Sequence, residues 1–162
     1  MVRDEDISFM RRAFALAGTA AYSARPNPHV GCVLVRDDAV IGEGYTCPQG
    51  GNHAEIQALE SSGGARGATA YVTLEPCSHS GLTGPCADAL IKAGISEIFV
   101  ALEDPNPLVS GKGLELMTAA GLQVNTGLLS EEAEVLLAGY IARMRRGRGR
   151  VRVKLAMSLD GR

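Results

Sequence analysis

The spacing of hydrophobic and polar positions changes several times along this chain. Near the N-terminus, apolar residues recur every three or four positions, which predicts an amphipathic helix over residues 5–20 with Asp4 as its N-cap. The next segment, HVGCVLVRDDAVIGEGY, contains two runs of β-forming residues around the polar pair Asp37 and Asp38. This pattern predicts a β-hairpin that turns at the two aspartates.

Short helical and strand-like segments alternate through the rest of the chain. The predicted helices cover residues 53–61, 85–94, 112–121 and 130–144, and the predicted strands cover residues 68–74, 96–102 and 122–127. Alternation of this kind is typical of an α/β fold with helices on both faces of a sheet. We therefore expect a three-layer α/β/α sandwich with a central, mixed, mostly parallel five-stranded sheet.

Chain length and the last residues predict the domain organisation. The 162 residues fit one domain, which we assign to residues 1–146. The ending VRVKLAMSLDGR begins like a strand but has no partner element after it. We therefore expect residues 147–162 to be a linker and the first strand of a truncated second domain.

Composition and charge narrow the class of protein. An apolar content of 46% and a charged content of 21% are typical of a globular protein, and neither a membrane span nor an export signal is recognisable. We expect a cytoplasmic protein, in which nearby cysteines favour metal binding or catalysis over disulfides. Residues 1–142 carry 8 Lys or Arg against 17 Asp or Glu, which argues against nucleic acid as a partner. The basic residues after position 142 are interpreted as a solvated helix end and linker.

Two cysteines in TLEPCSHSGLTGPC suggest a metal site. Cys77 and Cys86 each follow a proline and need at least one further ligand, which His53 can supply from the start of a predicted helix. Cys86 also begins a helix, and the positive ends of two helices favour thiolates. Three protein ligands leave one tetrahedral position open, which is the pattern of a catalytic rather than a structural zinc. Glu55, two residues after His53, is then available for proton transfer.

The other residues of similar chemistry have simpler interpretations. Cys32 lies among valines and is interpreted as a core thiol, while Cys47 is interpreted as a surface thiol rather than a fourth ligand. His29 is interpreted as a loop residue near the site. Glu75 is interpreted as a carboxylate that holds a loop rather than as a second base. A redox pair is disfavoured because no Cys-x-x-Cys occurs.

Several motifs together resemble a known enzyme family. The pattern H-x-E followed by two Pro-Cys pairs is the signature of zinc-dependent deaminases. With an eight-residue gap between the cysteines, and with PNPHVGCVLV, HAEIQALE, DPNPLVSGKG and KLAMSLDGR, the chain resembles the deaminase domain of the bifunctional riboflavin-biosynthesis deaminase–reductases. The resemblance implies a cytidine deaminase-like fold and one zinc ion per chain. It also implies hydrolytic deamination of 2,5-diamino-6-ribosylamino-4(3H)-pyrimidinone 5′-phosphate, with NADPH used only by the reductase domain missing here.

The resemblance assigns roles to individual positions. It implies that Glu55 moves protons and that Asn27 holds the pyrimidine ring. The implied zinc ligands are His53, Cys77 and Cys86, and the further candidates for substrate contact are His79, Asn106 and Lys112. The sequence departs from the family pattern at Thr46, where histidine is common, and at Leu82, where Lys or Arg is frequent. It also departs at Gly84, which interrupts the usual Pro-Pro pair before the second cysteine.

Other functions remain open at this point. A cytidine, deoxycytidylate or tRNA-adenosine deaminase would use the same zinc chemistry, but the cysteine spacing and the DPNP loop argue against it. A non-catalytic zinc module would not need the carboxylate of Glu55. The expected partner is a small pyrimidine ribotide, without nucleic acid or membrane, and the apolar run EVLLAGYIA makes a homodimer plausible.

Overall fold

Five strands form one mixed sheet in the computed structural model, which describes residues 2–78, 84–158 and 161. The strands are β1 (Gly31–Arg36), β2 (Ala39–Tyr45), β3 (Thr69–Val72), β4 (Glu97–Val100) and β5 (Gln123–Thr126), in the spatial order β2-β1-β3-β4-β5. Strand β1 is antiparallel to β2 and β3, whereas β3, β4 and β5 run parallel to one another. All strands except β1 therefore point the same way, and the predicted mixed, mostly parallel sheet is confirmed.

Six helices accompany these strands in the described part of the chain. They are α1 (Asp4–Thr19), α2 (Ala54–Ser61), α3 (Cys86–Ala93), α4 (Lys112–Ala119), α5 (Ser130–Leu136) and α6 (Ala138–Arg146). The predicted N-cap of α1 was wrong by one residue, because Arg3 holds the extended capping position and Asp4 is already helical.

The single helix predicted over residues 130–144 was also wrong, because the structure divides it at Leu137. Leu137 leaves helical geometry with φ −93° and ψ 12°, although its N–H still bonds the carbonyl oxygen of Ala133 at 2.9 Å. Ala133 packs in the core cluster that contains α1, whereas Leu137 and Ile141 pack in the other cluster. Because of the bend, the apolar residues of α5 and α6 pack into two separate core clusters.

The predicted hairpin is confirmed, and its turn explains the paired aspartates. Asp37 and Asp38 have φ values of 52° and 56°, so both occupy the left-handed region. This is the geometry of the tight two-residue turns that suit the twist of β-hairpins, and Asp tolerates it better than most residues.

Core side chains lie on both faces of the sheet, which confirms the three-layer sandwich. One face packs against α2, α3 and α4, and the other packs against α1 and α5. Alternation along each strand produces this division, since Cys32 and Leu34 face one cluster while Val33 and Val35 face the other.

Two glycines allow α2 to lie very close to β2. A Cβ atom at Gly44 would collide with the carbonyl oxygen of Ala54, and one at Gly42 would collide with that of Ala58. Since Ala54 is the first residue of α2, this contact holds the N-terminus of the helix against the end of β2. The position of His53 and Glu55 follows from it.

The described residues beyond α6 form no helix or strand. Gly147 ends α6 with a φ of 65°, and residues 151–158 are exposed and form neither helix nor strand. The division into domains at residue 146 stays a prediction. In the run EVLLAGYIA, Leu137 and Ile141 are buried and Val135 is 75% exposed, and the homodimer also stays a prediction. No helix in the described residues combines the length and apolar character needed to cross a bilayer.

Candidate active site

Three elements bring His53, Cys77 and Cys86 together at one edge of the sheet. His53 is the extended residue that caps α2, Cys77 follows β3, and Cys86 is the first residue of α3. The Nδ1 atom of His53 lies 3.2 Å from the Sγ of Cys86 and 3.7 Å from the Sγ of Cys77. The donor atoms all lie within 4.8 Å of one another, and the described residues contain no other such group of three.

The donor set fits zinc. Zinc–sulfur bonds of about 2.3 Å and zinc–nitrogen bonds of about 2.0–2.1 Å at tetrahedral angles separate neighbouring ligand atoms by about 3.6 Å. The distances from His53 to the two sulfur atoms, 3.2 and 3.7 Å, lie on either side of that value. One imidazole and two thiols are also the ligand types that zinc prefers. The group supplies three of four tetrahedral positions.

The electrostatics of the cluster favour a negative sulfur at Cys77. The thiol of Cys86 and the imidazole of His53 both hydrogen bond to this sulfur and lower the pKa of Cys77 to about 4. The backbone N–H of Cys86 donates to the same sulfur at 3.3 Å, from the N-terminal end of α3. The hydrogen bond to the Cys77 sulfur and burial raise the pKa of Cys86. The cluster therefore prefers one thiolate even before a cation is added.

Glu55 lies beside this cluster without belonging to it. Its side chain is 4% exposed and stands in the first turn of α2, two residues after His53. Burial raises the pKa of Glu55 to about 7, and the negative charge of Cys77 acts in the same direction. A carboxyl group with such a pKa can both accept and donate a proton near neutral pH, which suits general acid–base catalysis.

A cavity of about 330 Å³ opens onto His53, Glu55 and Cys77. This volume suits a small organic molecule. Other residues that line it are Asn27, Glu75, Asp104, Asn106, Tyr140 and Arg143.

The proposed substrate residues are only partly brought together. Asn27 and Asn106 line the cavity. Lys112 is not among the lining residues, and its Nζ donates to the carbonyl oxygen of Leu108 at 3.2 Å. His79 and Leu82 lie outside the residues that the structure describes. Their roles stay predictions.

Thr46 lines the cavity but is already engaged by the backbone. Its hydroxyl oxygen accepts a hydrogen bond from the N–H of Val30 at 2.9 Å, and the residue is only 3% exposed. At the position where histidine is common in the family, this chain thus has a small side chain that holds Val30, the residue before β1.

Glu75 has the contacts expected of a carboxylate that holds a loop. Its Oε2 atom accepts the N–H groups of Asp104 and Gly111 at 3.1 and 3.0 Å, and its Oε1 atom accepts that of Gly113 at 2.9 Å. Burial raises the pKa of Glu75, while these N–H donors act in the opposite direction. The carboxylate ties the loop between β4 and α4 to the segment that carries Cys77.

Tyr140 and Arg143 line the cavity from α6 and were not predicted as site residues. The hydroxyl of Tyr140 donates to the carboxylate of Asp104 at 2.8 Å. The guanidinium of Arg143 lies 5.5 Å from the centre of the Tyr140 ring and donates to the carbonyl oxygen of Pro26 at 2.7 Å. Their spacing of three residues places both on one helix face, which was the available signal. Arg143 was instead grouped with the basic end of the chain.

The remaining cysteines and His29 lie outside the metal cluster. Cys32 is fully buried, and burial raises its pKa well above the ordinary value, as expected of a core thiol. Cys47 is half-buried, and its sulfur accepts a hydrogen bond from Gln57 at 3.1 Å. His29 is half-buried, and burial lowers its pKa.

Comparisons with known proteins agree with this geometry. The family model described as "Cytidine and deoxycytidylate deaminase zinc-binding region" matches residues 3–102. The chain is 50% identical over 159 residues to riboflavin biosynthesis protein RibD of Haemophilus influenzae, covering 98% of this chain and 43% of that protein. It is 47% identical over 143 residues to the diaminohydroxyphosphoribosylamino-pyrimidine deaminase of Buchnera aphidicola from Acyrthosiphon pisum, covering 88% and 97% of the two chains.

A solved structure extends this likeness to the fold. Acinetobacter baumannii RibD superimposes with a TM-score of 0.93 at 50% identity, over 98% of this chain and 45% of that one. The chain therefore spans less than half the length of the RibD proteins that it matches.

Proposed function

Because the chain belongs to the cytidine and deoxycytidylate deaminase family, we propose that it hydrolytically deaminates 2,5-diamino-6-ribosylamino-4(3H)-pyrimidinone 5′-phosphate. The products are ammonia and 5-amino-6-ribosylamino-uracil 5′-phosphate, and the reaction is a step of riboflavin biosynthesis. The observation that carries the proposal is the group of His53, Cys77 and Cys86 beside the carboxyl of Glu55, with His53, Cys77 and Glu55 lining one cavity. A metal-binding module without catalysis has no use for that buried acid.

The relatives support this choice of substrate. The Buchnera protein is named for this deamination, and the matched region covers 97% of its length. The region shared with this chain thus makes up nearly the whole of that deaminase, and 88% of this chain aligns with it. A cavity of about 330 Å³ fits a pyrimidine ring.

We assign each step to residues of this chain. His53, Cys77 and Cys86 hold one zinc ion, which when bound makes a water molecule acidic enough to attack an amidine carbon at neutral pH. Asn27 orients the pyrimidine ring. Glu55 accepts a proton from the attacking water and delivers protons to the ring nitrogen and to the leaving amine. Its burial and its pKa of about 7 suit a group that must accept and return protons in one turnover.

Release of ammonia tests the proposed reaction directly. Purified, zinc-loaded protein is incubated with the diaminopyrimidine ribotide and, separately, with cytidine and deoxycytidylate. We expect rapid ammonia release from the ribotide and little from the other two compounds. Faster turnover of cytidine or deoxycytidylate would instead favour the second candidate, a general pyrimidine nucleoside or nucleotide deaminase.

The Glu55→Gln variant separates binding from chemistry. The amide is nearly isosteric, so the protein should fold, retain its zinc and bind the ribotide, but lose at least about 10²–10⁴-fold in turnover, the range for general acid–base groups. Glu60→Gln is the matched control, since Glu60 lies on the exposed side of the same helix and accepts a hydrogen bond from Asn52. A Glu55→Gln variant that keeps its metal and more than about a tenth of wild-type turnover would exclude Glu55 as the proton carrier.

We further propose that the protein works in the cytoplasm, where a reducing environment keeps Cys77 and Cys86 available as metal ligands. The partner that the cavity suits is the ribotide itself, without nucleic acid or membrane. Use of NADPH by a separate reductase domain is implied by the family resemblance and stays a prediction.

A further inference from the structure

The charges around the candidate active site are unevenly distributed. Three carboxyl groups line the cavity, from Glu55, Glu75 and Asp104. Arg143 is the one Lys or Arg side chain among the described residues that line it. Glu75 accepts three backbone N–H groups, and Asp104 accepts the Tyr140 hydroxyl. A dianionic group would be repelled by the carboxylates and attracted only at Arg143.

The cationic and metal-binding parts of the cavity lie at different depths. Glu55 is 4% exposed, and in the cluster beside it Cys86 is buried while His53 and Cys77 are half-buried. Arg143 is solvent-exposed and lies near the end of α6, so it stands at the mouth of the cavity. A substrate with its reacting ring at the metal cluster would therefore place its opposite end near Arg143.

The guanidinium of Arg143 is already positioned. It stacks over the Tyr140 ring at 5.5 Å and donates one hydrogen bond, of 2.7 Å, to the carbonyl oxygen of Pro26. Tyr140 is in turn anchored by its hydrogen bond to Asp104. Because a guanidinium has five N–H donors, further donors remain for an anion, and their planar arrangement suits phosphate oxygens.

We propose that Arg143 is the residue that binds the 5′-phosphate of the substrate. This inference rests on the proposed function, which supplies a ribotide as the ligand, and it adds the residue that recognises the phosphate. Lys112, implied by the family resemblance, has its Nζ on the carbonyl oxygen of Leu108 and does not line the cavity. The hydroxyl of Thr46 is likewise engaged, by Val30. Arg143 is therefore the side chain that we assign to contact the phosphate, in place of Lys112 and Thr46.

Three variants and two compounds test this assignment. The variants are Arg143→Gln, Arg143→Lys and the control Arg146→Gln, which removes the same charge from the last turn of the same helix without touching the cavity. The compounds are the diaminopyrimidine ribotide and its dephosphorylated riboside. Loss of charge-assisted hydrogen bonds should lower kcat/KM for the ribotide by about 10–10²-fold in Arg143→Gln, mainly through KM. Arg143→Lys should recover part of the loss.

The riboside separates phosphate binding from a structural role. Arg143 also holds the Pro26 carbonyl next to Asn27, so a disturbed loop would slow both compounds equally. Phosphate binding predicts instead that Arg143→Gln slows turnover of the ribotide far more than turnover of the riboside and removes the preference of the wild-type protein for the ribotide. Equal losses on both compounds, or an Arg143→Gln variant no different from Arg146→Gln, would overturn the assignment.

Binding measurements keep this inference distinct from the proposed reaction. Calorimetric titration of the ribotide and the riboside into each protein reports affinity whether or not ammonia is released. A wild-type protein that releases no ammonia but binds the ribotide more tightly than the riboside, through Arg143, would refute the reaction and support the phosphate site. A wild-type protein that binds both compounds equally would refute the phosphate site even if deamination occurs.

Discussion

The buried carboxylate of Glu75 should stabilise the loop between β4 and α4 rather than transfer protons. Its Oε2 atom accepts two backbone N–H groups, from Asp104 and Gly111, and its Oε1 atom accepts the N–H of Gly113. Replacing Glu75 by glutamine keeps the shape of the side chain but exchanges one oxygen for an NH₂ group. In the better orientation the amide oxygen retains two donors, and the NH₂ group then faces the N–H of Gly113.

The expected loss of stability follows from these three bonds. A buried donor without an acceptor costs about 1–3 kcal/mol, and the two bonds that remain lose the extra strength of a charged acceptor, about 1 kcal/mol together. We therefore expect Glu75→Gln to lower the free energy of unfolding by about 2–4 kcal/mol. For a domain of this size the melting temperature should fall by about 5–15 °C.

Denaturation and turnover measured on the same samples test this prediction. Glu103→Gln is the matched control, because Glu103 belongs to the same loop but is exposed and accepts a hydrogen bond from the hydroxyl of Ser110, at 2.8 Å. We expect the control to change the free energy of unfolding by less than about 0.5 kcal/mol. If Glu75→Gln matched the stability of the control while losing ammonia release as completely as Glu55→Gln, Glu75 would be a proton-transfer group and our reasoning would be wrong.

Two further predictions concern zinc and acid stability. Cys86→Ser should lose the one zinc ion per chain and melt at lower temperature, because metal binding contributes folding energy. Cys47→Ser is the control and should keep the metal. Elemental analysis that finds zinc in both variants would contradict the ligand set. Asp6→Asn should reduce stability by about 1–3 kcal/mol at pH 7, because buried Asp6 accepts hydrogen bonds from Arg3 and Tyr71. Burial opposes the ionisation of Asp6, but these donors hold its pKa below the ordinary value of 3.8. The contribution of Asp6 to the free energy of unfolding is therefore complete above that pH and is lost as the pH falls through the lower native pKa. Urea denaturation should therefore show the gap between wild type and Asp6→Asn closing in acid, and a gap independent of pH would refute this explanation.

Most of the fold could be predicted from local pattern because the helices and strands are short and end at recognisable turn or capping residues. Gly94 ends α3 in the left-handed conformation, as its place after a periodic apolar run indicates. Two members of the cluster, His53 and Cys86, were predictable for a related reason, because each stands at a recognisable helix start. The bend at Leu137 was not predictable, because it arises from two core clusters that form only in the tertiary structure.

The mouth of the cavity was harder to predict than the metal cluster. Arg143 contacts the backbone of Pro26, which is 117 residues away in sequence, and no local pattern encodes such a contact. The apolar run before Arg143 explains the helix, and the basic residues after it suit the C-terminal end of a helix. The direction of α6 relative to the sheet depends on the bend at Leu137. The place of Arg143 in the cavity therefore appears only in the folded protein.

Strand direction explains why the residues of the candidate site gather at one edge of the sheet. The parallel strands β3 and β4 end at the same edge, which brings Cys77 and Asp104 close together after them. Strand β1 is antiparallel to β3, so its beginning lies at that edge and carries the preceding Asn27 there. The N–H of Gly31 donates to the hydroxyl of Thr73 at 3.1 Å and joins the two segments. The one reversed strand thus allows a loop from before the sheet to meet the loops that leave it, and a fully parallel sheet would place Asn27 at the opposite edge from the metal ligands.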